Sequence, residues 1–196
     1  TLGNTGALDP DSPQTAAHFL QLCNQRDGPR VVLPNITGFR VGKDFEAAGI
    51  HNKGSQMVNA VSNSTVPHLT VVIGSSYGAG TYGMSGRAFG NRFTFVWPTA
   101  KIAVMGPKQI AGVMSEVRRG QAARAGIEFD EEADTQLVAV VEAAQEKGSL
   151  ALTATGAVSD DGIIDPRDTR TVLGLTQSVV RNRAIEGAHG FGVFRL

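Results

Sequence analysis

The sequence has little cysteine, no excess charge of either sign and no long apolar run. Its one cysteine, Cys23, excludes an internal disulfide framework and a metal site built from several thiolates. Eighteen Lys and Arg residues balance eighteen Asp and Glu residues, so no global field attracts nucleic acid or an anionic membrane. No apolar run approaches the ~20 residues that a membrane-spanning helix needs. These absences favour a soluble globular protein.

Glycine, in contrast, is abundant. The 196 residues include 24 glycines, about 12% against a usual ~7%, which indicates many tight turns or close backbone approaches. The length suits one domain, and we expect residues 1–196 to form it. Because the chain begins at Thr1 with neither an initiator Met nor a signal pattern, we expect it to be part of a longer protein.

Strand patterns alternate with helix patterns along the chain. Apolar spacing and end signals predict helices at 11–27, 43–64, 107–114, 134–147 and 166–179. Short apolar runs predict strands at 30–36, 68–74, 93–98 and 101–106. The charged residues 116–132 are predicted to be a surface excursion. This alternation indicates an α/β fold with helices packed on strands.

Residues 74–83, which follow an apolar strand, match two catalytic patterns. The sequence G-x-S-x-G would make Ser76 a hydrolase nucleophile, with Asp161 or Asp165 and then His189 completing a triad. Only two strand-like runs precede Ser76, although an α/β-hydrolase sheet needs more. The sequence G-x-G-x-x-G at 78–83 would bind a dinucleotide, but the acidic residue required about 20 residues on is missing. Ser76 therefore stays an alternative, and the dinucleotide site is disfavoured.

Both patterns place small residues where a strand leads into a helix. Small residues at 78–80 let a ligand oxygen approach the unpaired N–H groups of a helix start. Such donors stabilise a developing oxyanion, and the loss of one typically costs ~3 kcal/mol in the transition state. The same glycines could instead only permit tight packing of helix on strand. Both interpretations stay open on these residues alone.

Several longer segments carry a resemblance to a known family. They are NITGFRVG at 35–42, SYGAGTYGMSGRA at 76–88, WP at 97–98, IAVMG at 102–106, DDGIIDPRDTR at 160–170 and FGVFRL at 191–196. Together they closely resemble the carboxyltransferase beta subunits of biotin-dependent acyl-CoA carboxylases, in the branch of methylcrotonoyl-CoA and geranyl-CoA carboxylases. The resemblance implies a crotonase-like α/β fold of repeated ββα units. It also implies that residues 1–196 are the C-terminal, biotin-side half of such a subunit.

The resemblance implies carboxyl transfer from carboxybiotin to an acyl-CoA such as 3-methylcrotonoyl-CoA, with propionyl-CoA or acetyl-CoA as alternatives. The backbone amides of Ala79 and Gly80 would form the oxyanion hole for biotin. The surrounding pocket would consist of Gly78, Thr81, Tyr82, Asn35, Thr37, Gly38 and Phe39. No metal is expected in this chain.

The implied partners are a biotin carboxylase and biotin carrier subunit, an acyl-CoA, the N-terminal carboxyltransferase domain and further copies in a hexamer. The fragment alone is expected to be inactive. The expected location is a bacterial cytoplasm or, in a eukaryote, the mitochondrial matrix. An assembly domain without catalysis is a further alternative. The chain departs from the branch pattern at Arg40, Thr81 and Ser85, which leaves the acyl substrate open.

The remaining titratable residues are given structural roles. His18, His51 and His68 lie in predicted helices or at a strand start, and His189 lies in a loop. Three aspartates lack the full spacing of a calcium loop and are predicted to be turn and cap residues: Asp160, Asp161 and Asp165. Cys23 is predicted to be buried and inert.

Overall fold

The computed structural model describes residues 6–194, in which short parallel strands alternate with helices. The strands are β1 (Ala7–Leu8), β2 (Arg30–Val32), β3 (Gly38–Phe39), β4 (His68–Val72), β5 (Ser75–Tyr77), β6 (Phe93–Val96) and β7 (Lys101–Ala103). The helices are α1 (Asp11–Gln25), α2 (Lys43–Ala47), α3 (Ile50–Ser62), α4 (Gly78–Gly83), α5 (Pro107–Ala125), α6 (Glu131–Ser149), α7 (Ala151–Gly156) and α8 (Thr169–Val180). Single 3-10 turns occur at Arg87–Phe89 and Pro166–Asp168.

The strands form one three-stranded sheet and two pairs, all parallel. β4 lies between β2 and β6, with Arg30 opposite His68 and Leu69 opposite Phe93. All five residues of β4 are buried. A continuous apolar run is typical of a parallel strand covered on both faces, so this strand prediction is confirmed.

The chain changes sheets inside the predicted strand 68–74. β4 ends at Val72, and β5 then pairs with β7 instead. Asn35 holds this break, since its Oδ1 accepts a hydrogen bond of 3.1 Å from the backbone N–H of Ser75. A Cβ on Gly74 would lie 2.3 Å from the same Asn35 oxygen, so a side chain at 74 would displace Asn35.

The core consists of three clusters of buried apolar side chains. One lies between α1 and α3 and includes Leu20 and Val61, and Phe191 packs against this cluster. A second joins Val72 and Val96 to Ala151 at the start of α7. The third gathers Leu8, Ile36 and Met57, with Phe39 and Met84 packed against it.

Two helix predictions are corrected. The segment 116–132, predicted to be a surface excursion, is exposed but largely helical, since α5 continues to Ala125 and α6 begins at Glu131. Its charged residues are compatible with helix since they lie on exposed faces and pair between the two helices, as Arg119 does with Glu131. The predicted helix 43–64 is divided into α2 and α3 at Gly49, which has φ +77°.

Across residues 6–194, every helix is too short or too polar to span a lipid bilayer.

Candidate functional site

The glycine-rich segment forms a sharp turn between β5 and α4. Gly78, the first residue of α4, has φ +53°, a conformation that L side chains rarely adopt. A Cβ on Gly78 would also lie 2.8 Å from the carbonyl oxygen of Val104, in the segment after β7. Glycine is therefore required at 78 both by the backbone conformation and by the close approach of the neighbouring chain.

Ala79 and Gly80 are the second and third residues of α4. The N–H groups of a first helical turn have no acceptor within the helix, and within residues 6–194 no side chain caps this end. Ala79 is exposed, whereas Gly80 is buried, and a Cβ on Gly80 would lie 2.9 Å from Ile36 Cδ1. Because α4 has only six residues, its individual N–H groups matter more than a long helix dipole.

Ile36 fixes the position of this turn, although nothing in the sequence singled it out. Its N–H donates to the Ser75 carbonyl at 2.6 Å, and its carbonyl accepts from the Tyr77 N–H at 3.2 Å. The Ile36 side chain is buried in the cluster around Leu8 and Met57. The start of α4 is thereby tied to the hydrophobic core through the segment that follows β2.

A cavity of about 290 Å³ opens beside Ala79. Apolar side chains from the β3 segment and α3 make much of its wall, namely Phe39, Ile50 and Val58. The Phe39 ring packs tightly against Gly54, where a Cβ would lie 3.0 Å from it.

The polar lining of this cavity comes from charged and titratable groups at its rim. They are Arg40, Glu46 and His51. His51 Nδ1 and Glu46 Oε2 are 2.6 Å apart.

The structure brings some of the predicted pocket residues together. Phe39 and Ala79 line the cavity, and Thr37 and Gly38 immediately precede Phe39. Tyr82 does not line it: the side chain is 48% exposed and its ring meets the edge of Phe89, with centroids 5.7 Å apart. Asn35 and Thr81 make other contacts. Asn35 Oδ1 accepts a hydrogen bond from the Ser75 N–H, and Thr81 Oγ1 is hydrogen-bonded to Ser76 Oγ.

The residues of the alternative hydrolase triad lie apart. Ser76 is 1% exposed, and its Oγ is 2.9 Å from Thr81 Oγ1. Asp161 accepts from Arg87 at 2.9 Å and from the Thr94 N–H at 2.7 Å. The pKa of the Asp161 carboxyl is lowered, since these hydrogen bonds outweigh the opposing effect of burial. His189 lines a separate cavity beyond α8, so the geometry gives no support to a hydrolase.

The other predicted turn aspartates have structural partners. Asp160 Oδ1 accepts from the Gly162 N–H at 2.9 Å, and Asp165 Oδ1 accepts from the Arg167 N–H at 2.8 Å. These contacts confirm the turn and cap roles. Within residues 6–194, no group of three or more His, Cys, Asp or Glu side chains is arranged to hold a metal ion. Cys23 is half-buried rather than buried.

A buried polar cluster around His68 was not predicted beyond a structural role for that residue. His68 Nδ1 is 2.8 Å from Ser85 Oγ, and Arg30 donates to His68 Nε2. A guanidinium can only donate, so the accepting ring nitrogen carries no proton. Burial, with the nearby charges of Arg30 and Arg92, lowers the pKa of His68 to about 3. Burial likewise lowers the pKa of Arg30 to about 10.

Comparison with known proteins decides the family. A model of the carboxyl transferase domain matches residues 2–191. The chain belongs to the carboxyl transferase domain family. It is 52% identical over 97% of its length to a probable biotin-dependent acyl-coenzyme A carboxylase beta2 subunit of Mycobacterium tuberculosis. It is 49% identical over 100% of its length to a probable mitochondrial methylcrotonoyl-CoA carboxylase beta chain of Drosophila melanogaster.

Solved structures of this carboxyl transferase family confirm the predicted crotonase-like fold. The beta subunit of geranyl-CoA carboxylase from P. aeruginosa matches with a TM-score of 0.83 and 38% identity over 96% of the chain. The transcarboxylase 12S subunit matches with a TM-score of 0.79 and 30% identity over 97% of it. The chain covers 36% and 34% of the two sequence relatives and 35% of each solved chain, about a third of their length.

Proposed function

We propose that residues 1–196 are the C-terminal, biotin-side carboxyltransferase domain of the beta subunit of a biotin-dependent acyl-CoA carboxylase. The observation that carries the proposal is the uncapped turn at the exposed Ala79 and the buried Gly80, found in a chain whose residues 2–191 match the carboxyl transferase domain. Names of the relatives support the biotin-dependent acyl-CoA chemistry.

In this proposal the N–H groups of Ala79 and Gly80 donate to the ureido oxygen of biotin. Biotin, held on a partner carrier, supplies the carboxyl group that is transferred. The two amides stabilise the negative charge that develops on that oxygen, and each donor is worth ~3 kcal/mol in comparable sites. Gly78 and Ile36 act on the chemistry only by holding the turn in place, through the contacts with Val104 and Ser75.

The proposed carboxyl acceptor is a 3-methyl-branched unsaturated acyl-CoA such as 3-methylcrotonoyl-CoA. The names of the methylcrotonoyl-CoA and geranyl-CoA carboxylase relatives support this choice. The cavity beside Ala79 offers Phe39 and its neighbours, among them Thr37 and Gly38, as one wall of the site. Thr81 and Tyr82 continue α4 on the far side of the amides.

The proposed partners follow from the length of the relatives. The chain is a third of their length, so an N-terminal carboxyltransferase domain would hold the acyl-CoA. A biotin carboxylase and biotin carrier subunit would deliver biotin. A hexamer is the proposed assembly, supported by the hexamer described for transcarboxylase 12S.

The test uses the full-length parent protein isolated from its own source. Streptavidin should detect a stoichiometric biotinylated partner, and the complex should fix labelled bicarbonate only when 3-methylcrotonoyl-CoA or a related acyl-CoA is added. Avidin added beforehand is the control and should abolish fixation. An intact preparation with no biotinylated partner would contradict the proposal.

A further inference from the structure

Arg40 brings a positive charge to the mainly apolar cavity beside Ala79. Phe39, Ile50 and Val58 supply hydrocarbon surface, while the half-buried Arg40 side chain lines the same space. The Arg40 guanidinium lies 5.5 Å from the centroid of the Phe45 ring. A ring face attracts the cation but leaves its N–H donors unused.

Neither Glu46 nor Asp9 forms a salt bridge with Arg40. Within residues 6–194, Arg40 takes part in none of the salt bridges. Glu46 pairs with His51 at 2.6 Å. Asp9 Oδ1 already accepts from the Ser12 N–H and Oγ, both at 2.9 Å, and the charge of Arg40 is the weakest influence on the lowered pKa of Asp9. The cavity therefore keeps a cation with free donors.

The size of the cavity limits how much of a ligand can bind beside Arg40. A volume of about 290 Å³ lies at the low end of the ~300–1,000 Å³ of small-molecule sites, so it would hold one end of a ligand. A guanidinium binds planar carboxylate and phosphate groups through two parallel N–H donors. The apolar wall suits the hydrocarbon that leads up to such a group.

We propose that Arg40 makes this cavity a subsite for an anionic end of a CoA thioester, a carboxylate or a phosphate group. This inference rests on the proposed function, since it assumes that a CoA thioester reaches the turn at Ala79. Two ends of the ligand can carry this chemistry: a carboxylate at the end of the acyl chain, and the 3′-phosphate on the ribose of CoA, whereas the 5′-diphosphate lies between them.

The experiment measures binding to the full-length subunit assembled with its biotinylated partner. Calorimetry gives dissociation constants for valeryl-CoA, glutaryl-CoA and the same two thioesters lacking the ribose 3′-phosphate. The variants are Arg40→Leu and Arg40→Lys. Arg183→Leu is the matched control, since it removes an exposed cation from the separate cavity that His189 lines. Fixation of labelled bicarbonate is measured separately.

Two outcomes support the inference. If the terminal carboxylate is bound, Arg40→Leu raises the dissociation constant of glutaryl-CoA by about tenfold and changes that of valeryl-CoA by less than about twofold. If the phosphate is bound, Arg40→Leu weakens both complete thioesters equally and leaves the two lacking the phosphate unchanged. In either case Arg40→Lys retains part of the affinity and Arg183→Leu changes nothing.

Other outcomes overturn it. If Arg40→Leu weakens the binding of all four thioesters equally, or changes the binding of none, Arg40 does not recognise the anion. The inference also fails if the wild-type subunit binds no CoA thioester. A wild-type complex that binds these thioesters yet fixes no bicarbonate with any acyl-CoA contradicts the proposed function alone, so the two failures are distinguishable.

Discussion

The β5–α4 turn and the α5–α6 helix pair are built in opposite ways. The turn is held by backbone contacts: Gly78 against the Val104 carbonyl, and Ile36 hydrogen-bonded to Ser75 and Tyr77. The helix pair spans two helices of 19 residues but buries few of their side chains. Polar side chains pair across it, among them Arg118, which donates a hydrogen bond of 2.6 Å to the buried Asp134.

This difference determines which substitutions each region tolerates. A turn defined by backbone contact cannot shift without disturbing its amide groups, so small substitutions there should have large effects. A helix pair with exposed faces can absorb most substitutions, except at a buried charge. Four predictions test this contrast.

The largest effect is expected from removing an amide donor. Ala79→Pro deletes one N–H in the first turn of α4, where proline is tolerated, and should lower carboxylation kcat by about 10²–10³-fold in the assembled enzyme. Glu132→Pro, at the equivalent second position of α6, is the matched control and should leave kcat unchanged. Equal activity of the two variants would show that the Ala79 amide has no catalytic role.

The next effect concerns stability at the two kinds of glycine. Gly78→Ala forces a side chain into φ +53° and against Val104 O, and should destabilise by about 2 kcal/mol. Gly112→Ala in α5, where a Cβ meets nothing within 4 Å, should stabilise by about 0.5–1 kcal/mol. Thermal unfolding of the full-length subunit measures both. If the two variants changed stability equally, or each in the direction opposite to that expected, the contrast between the turn and the helix pair would be wrong.

A smaller effect is expected at the one buried charge of the helix pair. Asp134 is 4% exposed and accepts from Ser115 and Arg118. Asp134→Asn weakens these charge-assisted bonds and should cost about 1–2 kcal/mol in thermal unfolding. Glu131→Gln, which breaks the exposed pair with Arg119, serves as control and should barely move the midpoint. A larger loss from the exposed pair would contradict the argument from burial.

The smallest effect concerns the cluster that joins His68 to Ser85, just after α4. The folded-state pKa of His68, about 3, lies below the ordinary value of 6.5, so the unfolded chain takes up a proton first as pH falls. Stability should therefore decrease below about pH 6.5, by about 1 kcal/mol between pH 7 and 5.5. His68→Gln should lessen this decrease in thermal midpoint. An identical pH dependence in both proteins would mean that His68 does not titrate on unfolding.

Much of the fold could be predicted from local sequence patterns. The apolar run after His68 predicted a buried parallel strand, and the proline at 107 marked the start of α5. The end of α5 was missed because charge was taken as a sign of a surface excursion beyond the helix, whereas exposed helix faces carry charges equally well.

The candidate site was predicted in part. Small residues at 78–80 indicated free amides at a strand-to-helix turn, and the turn is there. Arg40 drew notice only as a departure from a pattern, and its place in the cavity beside Ala79 was not predicted. Tyr82 was assigned to the pocket by resemblance, and that role stays a prediction; its ring meets the edge of the Phe89 ring. These outcomes depend on contacts between segments far apart in sequence.

The sequence by itself determined the alternation of strands and helices, the need for small residues at 78–80 and the family resemblance, because these depend on local spacing. Only the tertiary structure decided that Val104 requires glycine at 78, that Ile36 holds the amide turn and that Ser76 is buried against Thr81. The physical reason is that close packing and burial arise between distant segments, and a linear pattern carries no distance between them.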